Sequence, residues 1–303
     1  MKNILLLLFA FCFAVLFVSC GGAAERPSSP GPVVPSDNNW PVTVENLTIA
    51  NKPKRVVSLS PALTETIYSL ALSESMIGRS DFCDYPAQVL ELESVGTAQM
   101  MDIQKLLALQ PDYVLTQIEL SALDMQKLQE MGAQVLLIPR ASTIEGMLNI
   151  YKDLFIFFRG LNQGVSDGEN YCENFSQQLN QIFDSVPDLP QYSAIYIVGL
   201  NIFDTAATPD TLEGQLMAGL GLKNIAENGK NWHYGFANLE KDNPELIIAS
   251  NSISFEGLRE NAYFADIDAV RQSRIFFVNK VSFERQSPRL LLDLRALKEM
   301  IYA

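Results

Sequence analysis

Apolar positions along this chain fall into short runs of two kinds, and their order sets out an architecture. Val56, Val57 and Leu59 form a β-branched-rich stretch over 55–59 that reads as a strand. Ser60 can cap the helix that follows, and Pro61 suits its first turn, where a missing N–H has no helical partner. Leu63, Ile67 and Leu70 then recur at helical spacing over 61–71. The alternation continues through a strand near Met76–Gly78, helix 102–109, strand Tyr113–Thr116, helix 121–131 and strand Val135–Ile138. Strands alternating with helical patterns predict a parallel sheet with helices on its faces. Val42–Ala50 reads as an opening hairpin or edge strand.

The pattern then changes. Ser142-Thr-Ile-Glu145 and Ser166-Asp-Gly-Glu169 each match a capping box, in which a hydroxyl and a glutamate reciprocally satisfy free N–H groups at a helix start. Ile144, Met147, Leu148, Tyr151, Leu154, Phe155 and Phe158 share one helical face after the first. Tyr171, Phe175, Leu179, Ile182 and Phe183 share another after the second. Beyond Pro187 and Pro190 the alternation resumes: strand Ser193–Val198, helix 211–220 ended by Gly221, and strands Leu246–Ala249 and Ile275–Val278. Ser287-Pro288 starts a final helix with Leu290, Leu294, Leu297 and Ile301 on its apolar face. Gln110-Pro111-Asp112 and Asn243-Pro244-Glu245 each stand directly before an apolar strand, a weak repeat that fits two halves of similar construction.

Composition adds a different segment at the start. Lys2 followed by apolar Ile4–Val18 and then Ser19-Cys20-Gly21 has the form of an export signal, and the apolar run is shorter than the about 20 residues a spanning helix needs. The small residue before Cys20 and the glycine after it resemble a bacterial lipoprotein signal, which makes Cys20 the expected lipidation site; an ordinary cleaved signal is the alternative. Gly21–Asn39 is rich in Gly, Pro and Ser and reads as a flexible tether. The expected organisation is therefore signal 1–20, tether 21–40, N-terminal lobe 41–140, linking helices 141–190 and C-terminal lobe 191–303. A net charge of −13 argues against nucleic acid, whose partners carry a basic footprint. With Cys12 removed and Cys20 acylated, Cys83 and Cys172 remain as expected free thiols, Cys83 partly exposed.

Catalytic chemistry finds no footing. There is one histidine, His233, no Cys-x-x-Cys pair, no phosphate-cradling Gly-Lys-Ser/Thr and no Gly-x-Ser-x-Gly, so the expectation is a protein that is not an enzyme and holds no metal or cofactor of its own.

Four phrases resemble a known family. Ser58-Leu-Ser-Pro-Ala-Leu-Thr-Glu65, Asp84-Tyr-Pro86, Ala108-Leu-Gln-Pro-Asp112 and Phe283-Glu-Arg-Gln-Ser-Pro-Arg289 occur here in the order found in the iron-siderophore/cobalamin class of ABC-importer substrate-binding proteins, over residues 52–302. The last phrase is most similar to the cobalamin-binding member. The resemblance implies an α/β fold of two lobes, each with a mainly parallel sheet, joined by a long backbone helix (a class III substrate-binding protein). It implies a monomer, exported and lipid-anchored facing outward or into the periplasm, that captures a corrinoid or other metal chelate between its lobes and delivers it to an ABC permease and its ATPase. Matched residue by residue, it places ligand contacts at Pro61, Phe82, Tyr85, Phe203, Trp232, Phe283 and Arg285. Arg285 would donate to amide or phosphate groups of the ligand; the plainer reading is a local Glu284–Arg285 salt bridge.

The chain also departs from the cobalamin binder. Ala98 and Gln117 stand where it has aromatics, and Val281 where it has an acid, so an iron-siderophore or haem is the alternative ligand. The permease-docking glutamates of the class fall on Gln104 and Ala237, with Asp102, Glu240 and Glu245 as possible substitutes; a sensor or interaction lipoprotein that kept the fold without transport is the alternative of another kind.

Overall fold

A computed structural model describes residues 39–188, 191–200 and 205–303. The chain enters through an antiparallel hairpin, β1 (Val42–Val44) and β2 (Leu47–Ile49). The first lobe is built from β3 (Val56–Ser58), α1 (Pro61–Ser69), β4 (Met76–Arg79), β5 (Glu93–Ser94), α2 (Ile103–Leu109), β6 (Tyr113–Thr116), α3 (Ala122–Glu130) and β7 (Gln134–Leu137). Its five strands are all parallel in the order β5-β4-β3-β6-β7. Two long helices follow, α4 (Ile144–Arg159) and α5 (Leu161–Asp184).

The second lobe contains β8 (Ser193–Ile197), α6 (Leu212–Gly219), β9 (Lys223–Asn224), α7 (Leu239–Asp242), β10 (Leu246–Ser250), α8 (Phe255–Glu260), α9 (Asp268–Arg271), β11 (Ile275–Val278), α10 (Lys280–Glu284) and α11 (Leu290–Tyr302). Its sheet is parallel in the order β11-β10-β8-β9. The described residues form one compact unit. The main core runs from the hairpin through the α4 and α5 faces to α11. The architecture is thus the expected one: two parallel α/β lobes and a long connecting helix.

The weak repeat turns out to be a shared device. Gln110 and Asn243 both take left-handed backbone conformations that end α2 and α7, at φ 45° and 34°. After the proline, the Asp112 carboxylate accepts the N–H groups of Lys54 (2.7 Å) and Arg55 (2.9 Å) at the start of β3. The Glu245 carboxylate accepts the N–H of Ser193 (2.8 Å) at the start of β8. In each lobe an acid beside one strand ties down the first residues of its parallel neighbour, β3 beside β6 and β8 beside β10. Arg55 adds a tie in the first lobe by donating to the free carbonyl of Leu109 at the end of α2 (2.9 Å).

Three local expectations are corrected. The hydroxyl of Thr143, not Ser142, caps α4 by accepting the N–H of Gly146 at 2.9 Å. Ser166-Asp-Gly-Glu169 lies inside α5 and starts nothing, because the cap of that helix comes from far away in sequence. Gly160, at φ 78°, has no side chain to offer, so Asn39 supplies its carbonyl to Leu161 N–H (2.9 Å) and its side-chain oxygen to Asn162 N–H (3.1 Å). Gly164 and Gly168 of α5 serve packing: a Cβ on Gly164 would sit 2.6 Å from Ile156 Cα and one on Gly168 3.2 Å from Lys152 Cα, so glycine lets α5 lie this close to α4. Cys83, expected partly exposed, is buried at 3.2 Å from the Thr64 hydroxyl, and burial pushes its thiol pKa up.

The Asp153 carboxylate, on α4, is partly buried and makes no hydrogen bond or ion pair among the described residues. Burial, aided by nearby Glu45, raises its pKa to about 6. A carboxyl that holds its proton more tightly when folded stabilises the fold below its unfolded pKa and loses that contribution as pH rises through the folded value. Asp153→Asn is therefore expected to exceed the parent by about 1 kcal/mol at pH 7, after discounting for solvent screening, with the gap closing below pH ~4. Urea denaturation at several pH values checks it.

Candidate functional site

The first sheet changes direction between β3 and β6, because the strands after β3 run outward to one edge through β4 and to the other through β6. Such a switch point leaves a crevice outside the strands' carboxyl ends. Ser60 and Pro61 follow β3 there, and Gln117 follows β6. The Ser60 hydroxyl bridges the gap by donating to Gln117 Oε1 at 2.7 Å while accepting Leu63 N–H at the head of α1 (3.2 Å).

Two cavities meet at Pro61 and Gln117. One, about 230 Å³, belongs to the first lobe and is lined by Leu59, Phe82, Ala98 and Ile118. The other, about 290 Å³, lies between the lobes, where Pro61, Ala62, Gln117 and Arg140 face Lys280, Val281, Glu284 and Arg285. A larger cavity of about 430 Å³ beside Trp40 and Phe158 shares no residue with either.

The lobes are joined behind these cavities by a buried ion cluster. The Glu65 carboxylate, on α1 and fully buried, accepts four hydrogen bonds from the other lobe. Arg289 meets it with two donors, Nε at 2.8 Å and a terminal nitrogen at 2.8 Å; Arg285 adds one at 3.0 Å and the Ser287 hydroxyl one at 2.6 Å. Paired donors in the fork of a guanidinium match a carboxylate's two oxygens, which makes this geometry directional. A second tie joins Arg140 to Glu213 at 2.7 Å; burial drives the Glu213 pKa up and Arg140 offsets part of the rise. Gln286, held at φ 56°, closes a reciprocal pair with Ala141 through its side-chain amide (2.6 and 3.0 Å), and its carbonyl accepts the Tyr151 hydroxyl at 2.8 Å.

Arg285 is therefore not paired with its neighbour Glu284. Its partners are Glu65 and, at 2.7 Å, Asp84; it also donates to the Phe82 carbonyl at 3.5 Å. Burial works to lower its pKa, and the hydrogen bonds to Asp84 and Glu65 outweigh that, leaving it above the usual arginine value. The guanidinium that would have served a ligand is committed to the protein. Arg289 lies 4.0 Å from the Tyr85 ring centroid, so the two arginines together hold the Phe82–Tyr85 loop against the second lobe.

The expected contacts separate accordingly. Pro61, Phe82 and Arg285 line the crevice, together with all three departures from the cobalamin binder, Ala98, Gln117 and Val281. Phe82 is 66% exposed, which leaves its ring available. Tyr85 lies against Arg289, outside both cavities. Phe283 is a correction: it is buried, 5.5 Å from the Tyr196 ring, and faces the core because α10 turns that side inward. Trp232 is partly buried, its ring centroid 6.0 Å from that of the same tyrosine in an edge-on arrangement, and at φ 68° its N–H donates to the Thr208 hydroxyl (3.2 Å). Phe203 and Cys20 lie outside the described residues. Gln104, Ala237 and Glu240 are exposed. The carboxylates of Asp102 and Glu245 are engaged, one capping α2 and one holding β8. Glu65, Arg289, Arg140 and Lys280 were not named as site residues from the sequence, although Glu65 and Arg289 stand at the ends of two of the family phrases.

Removing one partner of a buried ion pair leaves the other uncompensated, at a cost of about 3–5 kcal/mol. Glu65→Gln is expected to destabilise on that scale, whereas Asp84→Asn, whose side chain is 64% exposed, should cost about 0–1 kcal/mol. By the same contact Arg285→Ala should lower the melting temperature as well as disturb the crevice. Urea denaturation of the three variants checks these values.

Comparison with known proteins agrees with this geometry. Residues 56–281 match the periplasmic binding protein family model. An uncharacterized ABC transporter substrate-binding lipoprotein of Bacillus subtilis is 24% identical over 312 residues, covering 95% of this chain and 94% of the relative. The vitamin B12-binding protein of Vibrio campbellii is 25% identical over 257 residues, covering 83% of this chain and 90% of the relative. The crystal structure of a possible iron-binding periplasmic solute-binding protein from Staphylococcus epidermidis superposes with a TM-score of 0.70 at 23% identity, over 84% of this chain and 100% of that one. With a family match across most of its length and the class III fold of two parallel lobes, the chain belongs to the periplasmic binding protein family.

Proposed function

We propose that this chain is the exported receptor of an ABC importer that captures a corrinoid in the crevice at Pro61 and Gln117 and delivers it to the permease and its ATPase. The observation that carries the reading is the exposed Phe82 ring, held by the Arg285 clamp at a crevice that opens on the switch point of a parallel sheet. Aromatic rings beside a few polar groups are what a flat, largely apolar ligand needs. Neither cavity alone encloses a corrin, so the ligand lies across both, with part of its edge in solvent. The Phe283–Arg289 phrase and the B12-binding relative support the corrinoid. Ala98, Gln117 and Val281, all on the crevice wall, favour a second reading in which the ligand is an iron-siderophore or haem.

Acylation of Cys20 would anchor the receptor at the membrane surface; metabolic lipid labelling should disappear in Cys20→Ala. Docking onto the permease would proceed without the lobe glutamates of the class, since Gln104 and Ala237 are uncharged; Glu240 is the exposed, uncommitted acid nearest in sequence to the second position.

Titration of the purified chain with cyanocobalamin, followed by tryptophan quenching and calorimetry, tests the reading. Only Trp40 and Trp232 can report. Saturable submicromolar binding is expected, and Phe82→Ala should weaken it by roughly 2–10-fold, the usual worth of one aromatic contact. Loss of the quenching signal in Trp232→Phe would place the ligand near the second lobe. No binding at high micromolar concentration would move the assignment to siderophore and haem.

A further inference from the structure

Three cations line the cavity between the lobes: Arg140, Arg285 and Lys280. Two are committed. Arg140 pairs with Glu213 at 2.7 Å, and Arg285 with Glu65 and Asp84 at 3.0 and 2.7 Å. Lys280 forms no ion pair within 4.0 Å and its ammonium makes no hydrogen bond among the described residues. It is partly buried at the start of α10, directly after the carboxyl end of β11. Pro61, Ala62 and Val281 give the same cavity an apolar side.

Glu284 is the carboxylate that competes for Lys280. It lies four residues further along α10, and a lysine N-terminal to a glutamate at that spacing is the poorer orientation for a helical pair. Burial raises the Glu284 pKa and Lys280 partly offsets that rise, but no ion pair within 4.0 Å joins the two among the described residues, so the ammonium is not cancelled by a direct contact.

On the reading of this crevice as the ligand site, we infer that Lys280 is a specificity-determining residue that receives an anionic group of the ligand, a phosphodiester or a carboxylate, beside the apolar body held by Pro61, Ala62 and Val281. This moves the polar ligand contact expected of Arg285 onto its uncommitted neighbour. The committed arginines set the wall; the lysine reads the charge. Cobalamin carries a phosphodiester that cobinamide lacks, and haem carries two carboxylates, so these probes separate the possible sources.

The test compares the parent with Lys280→Gln and Lys280→Arg, using cyanocobalamin, dicyanocobinamide and haemin in calorimetric titration. A charge-assisted contact of ordinary strength predicts at least about a tenfold loss of affinity in Lys280→Gln for the ligand whose anion it meets, with recovery in Lys280→Arg. If cyanocobalamin is that ligand, cobinamide affinity stays unchanged across the series. If haemin is, the carboxylate is the group and the corrinoid reading fails separately. Equal losses for cobalamin and cobinamide, or no loss for any bound probe, overturn the inference. Should none of the three bind, phenyl phosphate is the remaining probe: it should shield the Lys280 amine from acetic anhydride, read by mass spectrometry. Unchanged labelling overturns the inference in that case too.

Discussion

A buried carboxylate, Glu65, gathers four hydrogen bonds across the two halves of this molecule and is the densest of the ties that hold them in register. Glu65 stands on the first helix of the first lobe, out of contact with water, and would be costly to bury as a lone charge. Four donors from Arg285, Ser287 and Arg289 remove that cost. Their directionality then fixes where the last two helices of the second lobe can lie. The crevice depends on this contact twice. The cluster sets the separation of its walls, and its arginines reach past Glu65 to Asp84, the Phe82 carbonyl and the Tyr85 ring, so the loop that presents Phe82 is held by the opposite lobe. A receptor tied together this way, with a stiff helix between its lobes as well, is suited to small adjustments around a ligand rather than wide closure.

The two lobes repeat one solution. In each, a left-handed residue ends a helix, a proline prevents its continuation, and an acid fastens the first residue of the neighbouring parallel strand. Because the strands either side of each switch point are pinned at their amino ends, their carboxyl ends can carry irregular loops without loss of register. In the first lobe those loops hold Ser60 and Gln117; Arg140 and Lys280 stand after β7 and β11, each one strand further from the switch.

Local patterns carried most of the fold. Strands such as Tyr113–Thr116 and Ile275–Val278 are legible because an apolar run begins directly after a turn signal, and α1 is legible because Ser60-Pro61 is a helix start in any context. The misread start of α5 shows where that logic ends: its cap, Asn39, lies more than a hundred residues away, so no local motif encodes it. Of the expected contacts, the sequence could place in the crevice only residues that reach it by virtue of their own loops, as Pro61 and Phe82 do. Arg285 was expected to donate to a ligand or to pair with Glu284; its partners Glu65 and Asp84 are near only in space, so neither reading could find them in the sequence. Phe283 was misplaced because the inward and outward faces of a one-turn helix cannot be told apart without knowing what packs against it.

The most direct measurement is hydrogen exchange read by mass spectrometry on the full chain with and without cyanocobalamin. Protection confined to peptides covering 59–63, 80–86, 115–118 and 280–286 would place the ligand across the two cavities that meet at Pro61 and Gln117. Binding that leaves those peptides unchanged and protects others, or no protection anywhere at saturating ligand, would contradict the crevice as the site of capture.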